Sequence, residues 1–107
     1  MNNSQQKLLA ARADVFKALG HPSRLAIIDA LVGGELCVHD LNKTVEADMS
    51  TVSRHLSVLR NAGILSSRKQ GNQVFYKLEC PCITTFYSCV ESVLNRTGQP
   101  FELEGLK

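Results

Sequence analysis

The chain of 107 residues has the length of one ordinary domain, and its 44% hydrophobic and 21% charged content is that of a soluble globular protein with a single modest core. A formal net charge of +2 points only weakly to a polyanionic partner, so where the charges sit matters more than their sum. The longest apolar stretches, such as residues 25–32, fall far short of the roughly 20 needed to cross a bilayer, and the polar opening Met1-Asn2-Asn3-Ser4 is unlike a signal peptide, so a cytoplasmic location is expected.

Leu8, Leu9, Ala11, Val15, Phe16 and Leu19 recur at helical spacing and predict a first helix over 5–20, with Gly20 as its stop. After His21-Pro22-Ser23, the residues Leu25, Ile27, Ile28, Leu31 and Val32 mark a largely buried second helix that Gly33-Gly34 ends. Residues 35–43 carry only Leu36, Val38 and Leu41, which suits a short helix or a strand turn entering one. Asp48 is placed to cap a fourth helix by accepting from the N–H of Ser50 or Thr51. Val52, Leu56 and Leu59 form the apolar line of that helix, and Ala62-Gly63 closes it.

Residues 64–69 and 73–78, joined by Gln70-Gly71-Asn72, read as a β-hairpin in which Val74, Tyr76 and Leu78 share one face. Beyond Cys80-Pro81-Cys82, the stripe Ile83, Phe86, Tyr87, Val90, Val93 and Leu94 predicts a last helix over 82–96, with a poorly ordered tail after Pro100. The fold class expected is mainly α with one β-hairpin, a winged helix-turn-helix filling a single domain over 1–107. Within it the helix-turn-helix spans 36–63 and the wing 64–78.

A reading helix presents short polar and cationic side chains to base edges in a major groove about 12 Å wide. Ser50, Thr51, Ser53, Arg54 and His55 are the candidates for that face. A wing brings positive charge to the flanking phosphates, and Arg68, Lys69, Gln70, Asn72 and Gln73 surround the hairpin turn, with Lys77 behind them. Neither feature alone exceeds what a solvated surface shows; their order along one chain does. No βαβ pattern surrounds Cys-Pro-Cys and no catalytic constellation lies near it, so an enzyme is not expected.

The segments Leu19-Gly20-His21-Pro22-Ser23-Arg24-Leu25 and Glu35-Leu36-Cys37-Val38-His39-Asp40-Leu41, the run from Ser50 through Ile64, and Tyr76-Lys77-Leu78 resemble the ArsR/SmtB family of metal- and metalloid-responsive repressors. The resemblance covers roughly residues 8–95. It implies a homodimer pairing its first and last helices, a helix-turn-helix made by the third and fourth, and release from DNA when an inducer binds. The apolar stripe on the last helix agrees with this independently, because one small core cannot use it. A two-fold dimer would bury Phe86, Tyr87, Val90, Val93 and Leu94 and offer two reading helices to a palindromic operator.

The 4 cysteines, in a reducing compartment, point to metal binding or redox sensing rather than to a disulfide framework. Two sites present themselves. Cys37 and His39 overlie the family's Cys-Val-Cys-Asp metal box, but His39 replaces its second cysteine, so the segment supplies two ligands suited to zinc and no trigonal thiolate set. Cys37 as a small buried hydrophobe and His39 as a surface residue is the equal alternative. Cys80, Cys82 and Cys89 supply three soft ligands, matched to As(III) or Sb(III) first, with Cd(II), Pb(II) or Zn(II) next. Related family members place soft-metal sites on this last helix. Seven residues separate Cys82 from Cys89, about 10.5 Å along a helix, so either 80–82 folds back or the thiols meet between two chains. A thiol redox or persulfide sensor on the same fold is the alternative to metal-triggered release.

Overall fold

The structure, a computed structural model, describes residues 1–98, and the tail expected to be disordered lies outside them. Helix α1 (Asn3–Leu19) begins two residues earlier than its apolar periodicity requires, because Asn2 and Gln5 form a reciprocal capping box. The Asn2 side chain accepts from the Gln5 N–H at 2.9 Å and the Gln5 side chain from the Asn2 N–H at 3.0 Å. Of its seventeen residues only Ala18 is buried. Helix α2 (Pro22–Leu31) has proline at its first position and His21 as its cap, the imidazole Nδ1 accepting from the Ser23 N–H at 3.1 Å.

Both alternatives for residues 35–43 are realised in succession. A two-residue strand β1 (Leu36–Cys37) leads directly into α3 (Val38–Val45). Helix α4 (Met49–Asn61) follows after a short turn in which Glu46 takes the left-handed conformation, φ 56° and ψ 43°. Strands β2 (Leu65–Gln70) and β3 (Gln73–Leu78) form the hairpin, with Gly71 at φ +62° turning the chain between them. β1 adds to the outer edge of β3, so the sheet is antiparallel in the order β1-β3-β2, with Tyr76 opposite both Leu36 and Ser67. The third strand ties the wing to the entrance of the helix-turn-helix.

The core lies where α2, α3 and α4 meet the sheet. Ile27, Ile28, Leu41, Val52, Leu56, Leu59 and Ile64 are fully buried there, each worth about 1.5–3 kcal/mol of transfer free energy. Helix α5 (Ile83–Arg96) follows a run of tight turns in which the N–H groups of Ile83, Thr84 and Thr85 donate to the carbonyls of Cys80, Pro81 and Cys82. It buries none of its residues. It touches the rest of the chain through Ile83, half-buried against the core, through the Phe16 and Phe86 rings, edge-on at 6.3 Å, and through the Tyr87 hydroxyl, which donates to Asp29 Oδ1 at 3.0 Å. No helix among the described residues is long and apolar enough to cross a membrane.

Candidate nucleic-acid interface

Helix α4 begins at a side-chain cap and presents one face of its first turns outward. Asp48 Oδ1 accepts from the Thr51 N–H at 3.2 Å, and Oδ2 accepts from the Ser50 hydroxyl at 3.1 Å. Hydrogen bonding from Thr51, then from Ser50, holds the Asp48 carboxyl below its ordinary range, so the cap is charged at neutral pH. Ser50, Ser53 and Arg54 are exposed and Thr51 half-buried, whereas Val52, Leu56 and Leu59 point inward. Ser50, with its proton committed to Asp48, offers acceptor lone pairs outward.

His55 does not join this face. It is 6% exposed, and its Nδ1 accepts from Arg24 Nε at 3.0 Å. The expectation of a base contact from His55 is corrected by helical geometry: positions 52, 55, 56 and 59 follow the i, i+3, i+4, i+7 pattern and make one buried stripe.

At the wing, Lys69, Gln70, Asn72, Gln73 and Lys77 are exposed, as the sequence suggested. Arg68 is engaged differently from what was expected. Its Nε and NH2 donate to Glu35 at 3.0 to 3.3 Å, the only salt bridge among the described residues, and its guanidinium lies 4.8 Å from the centre of the Phe75 ring. The Arg68 hydrogen bond, with the charges of Arg68 and Lys77, lowers the Glu35 pKa. Glu35, at the head of β1, and Arg24, in α2, were absent from the expected site. Arg24 had a signal: it is the one cation of α2, set in the first turn of a mostly apolar helix.

The thiols are not gathered within one chain. Cys37 is buried with its Sγ donating to Asp40 Oδ2 at 3.4 Å, while His39 beside it is exposed. Cys80 is half-buried, and Cys82 and Cys89 are exposed. Cys82 sits at the cap of α5 in helical conformation, so the 80–82 segment continues toward the helix and does not fold back on Cys89. Among the described residues no three His, Cys, Asp or Glu side chains are placed to hold an ion, and neither Cys37 with His39 nor the three remaining cysteines make such a set in a single chain.

The pattern of a profile described as "Bacterial regulatory protein, arsR family" matches residues 21–67, the stretch that carries α2, the helix-turn-helix and the start of the wing. Over 92 residues the chain is 34% identical to the uncharacterised HTH-type transcriptional regulator Rv0081 of Mycobacterium tuberculosis, covering 85% of this chain and 81% of that one. The chain belongs to the arsR family. This arsR-family chain is also 44% identical over 68 residues to the cadmium resistance transcriptional regulatory protein CadC homolog of Staphylococcus aureus, covering 63% of this chain and 56% of that protein. Among solved structures, it superposes with a TM-score of 0.75 on the homodimeric winged helix-turn-helix DNA-binding domain Mb0332 of Mycobacterium bovis, at 26% identity over 91% of this chain and 90% of that one. The chain is thus a DNA-binding transcriptional regulator of the winged helix-turn-helix type and not an enzyme.

Proposed function

We propose that two copies of this regulator pair through α1 and α5 and set their α4 helices into successive major-groove turns of a palindromic operator, repressing transcription in the cytoplasm. The observation that carries this reading is the unpartnered apolar face of the two helices: Leu8, Phe16, Phe86, Val90 and Val93 are 41–59% exposed in the single chain. A two-fold axis along that face would bury them and would leave the exposed Ser50, Ser53 and Arg54 of both subunits facing the same way. In this arrangement Ser50, Thr51, Ser53 and Arg54 read bases, and Lys69 and Gln73 hold phosphates.

The inducer in this reading is a soft metal or metalloid ion taken by Cys80, Cys82 and Cys89. Cys82 and Cys89 are exposed on or beside the helix that pairs, so the thiols of one subunit would meet Cys89 of the other across the axis. Three sulfurs suit As(III) or Sb(III). The relative named for cadmium resistance keeps Cd(II) in the set, with Pb(II) and Zn(II) behind. An ion that prefers one subunit rotation would shift the dimer away from the DNA-competent one without touching a DNA contact. The separation of the thiols within one chain favours one other reading, in which a cysteine pair closes to a disulfide between subunits, its two electrons and two protons passing to peroxide, which leaves as water, or to a persulfide, which leaves as thiol and hydrogen sulfide.

One experiment tests both. Reduced apo-protein is bound to a duplex that it has selected from a random pool, then challenged separately with arsenite, antimonite, Cd(II), Zn(II), peroxide and persulfide. Release by the metals alone supports the thiolate site, release by peroxide or persulfide alone supports the switch, and failure to enrich any duplex rejects the repressor reading.

A further inference from the structure

The segment His21-Pro22-Ser23-Arg24 belongs neither to α4 nor to the wing, and the proposed DNA contacts leave it without a role. In the structure, Arg24 joins three helices. Its Nε donates to Nδ1 of His55 on α4 at 3.0 Å, and its NH1 donates to the carbonyls of Ala18 and Lys17 at 3.3 and 3.4 Å. Those carbonyls belong to the last turn of α1, where a cation is favoured, and the Lys17 carbonyl also accepts from the Gly20 N–H at 3.2 Å. The His55 ring also lies 4.4 Å from the His21 ring, inclined at 50°.

We propose that Arg24 is a positioning residue for DNA recognition: through a neutral His55 it sets the rotation and depth of α4 against α1 and α2, and operator binding is therefore acid-sensitive. This rests on the reading of α4 as the helix that contacts DNA.

The proton count follows from the donors. A guanidinium has five N–H donors, no acceptor, and does not deprotonate, so His55 Nδ1 must offer a lone pair and carry its proton on Nε2. Protonating Nδ1 would remove the acceptor and place an imidazolium against the guanidinium. The groups facing His55 give that charge no relief: His21 from the start of α2, Arg24 from α2, and Arg54 on α4 itself, while α1 presents the Lys17 and Ala18 carbonyls to Arg24. Burial first, then the charges of His21, Arg24 and Arg54, hold His55 below its usual 6.5. A folded value below the unfolded one gives a contribution fully present above 6.5 that is lost as pH falls through the folded value.

The test measures the affinity of the full chain for two duplexes from pH 8 to pH 5.5: one that the protein selects from a random pool at pH 8, and one unrelated. Circular dichroism and thermal melting are followed at each pH. For the unmodified protein the selected-to-unrelated ratio is expected to fall as pH drops toward 5.5 with helix content retained, by less than about tenfold, since one proton taken up below 6.5 changes affinity by no more over this range. His55→Asn, which puts an amide oxygen near the place of Nδ1, should keep the ratio at pH 8 and lose the acid response. Arg24→Ala should lose about tenfold in the ratio at pH 8 and flatten the profile. A flat profile in the unmodified protein overturns the proposal. So does an unchanged acid response in His55→Asn, or an Arg24→Ala protein that melts normally and keeps its ratio. Should Arg24→Ala fail to fold, the His55→Asn profile decides. If no duplex is enriched at pH 8, the reading of α4 itself fails and this proposal with it.

Discussion

Arg68 on β2 and Glu35 ahead of β1 are joined across the face of the wing by a two-pronged ion pair, NH2 to Oε1 at 3.0 Å and Nε to Oε2 at 3.1 Å. Phe75 of the intervening strand lies beneath the guanidinium. β1 runs directly into α3, so this bridge links the wing to the helix-turn-helix.

That relationship separates two basic residues which are neighbours in sequence. Lys69 is exposed next to the hairpin turn, so Lys69→Ala should weaken binding to all duplexes alike and lower the slope of log affinity against log salt by about 1. Arg68→Ala should change the salt slope less, since its guanidinium already has a carboxylate partner, and should lower the thermal stability of the wing. Salt titrations of both variants check this. Equal slopes for the two would return Arg68 to the phosphate-binding set.

Glu46 adopts the left-handed conformation at the end of α3 with no glycine to ease it, where a Cβ costs on the order of 1 kcal/mol. Glu46→Gly is expected to raise stability by about 0.5 kcal/mol, the strain relief being partly offset by the greater freedom of glycine in the unfolded chain. Chemical denaturation measures the change. Operator affinity should stay within twofold, since the turn geometry is already that of glycine.

The order of elements was legible because apolar spacing, the Asp48 cap and the Gly71-Asn72 hairpin turn act locally. What was not legible depended on distant partners. β1 is two residues long and exists because Leu36 and Cys37 pair with Tyr76 and Phe75, which no local pattern reveals. His55 looked like part of a polar run, yet its place in the stripe with Val52, Leu56 and Leu59 was present in the spacing. Buried there, it is met by distant partners, the Arg24 guanidinium thirty-one positions away and the His21 ring. The free charge at Arg68 was removed by Glu35, thirty-three positions away. The cysteines were read as two candidate groups, and a single chain leaves the second group dispersed along the start and the length of α5.

Val90 is 41% exposed on α5 beside Phe86 and Val93, and it also lines an open apolar groove of about 370 Å³ with Leu25, Ala26 and Leu94. In the proposed dimer it is desolvated. Val90→Asp should therefore cost several kcal/mol of association free energy while leaving the core of α2, α3 and α4 intact. Sedimentation should find a dimer for the unmodified protein at micromolar concentration and a monomer or aggregate for the variant. A monodisperse, folded monomer of the unmodified protein would refute pairing through α1 and α5.

The thiols give the last prediction its form. Cys80, Cys82 and Cys89 belong to α5 and the turn before it, not to α4 or the wing, so changing any one to serine removes none of the proposed base or phosphate contacts, and binding to the selected duplex should stay within about threefold of the unmodified protein. Each change deletes one of three sulfurs, and a trivalent metalloid left with two should release the DNA only at far higher concentration. Cys37 is buried at the head of α3 with its thiol turned to Asp40, so Cys37→Ser should remain inducible at a modest cost in stability. Mixing Cys89→Ser with a Cys80→Ser, Cys82→Ser double variant then tests for a shared site. If the ligands come from two subunits, each homodimer is silent, whereas the heterodimer has one complete site and one empty one and should recover part of the response. No recovery in the heterodimer, with each parent silent, would mean that the three thiols act within one chain. Loss of the response in Cys37→Ser or His39→Ala alone would move the sensor to α3.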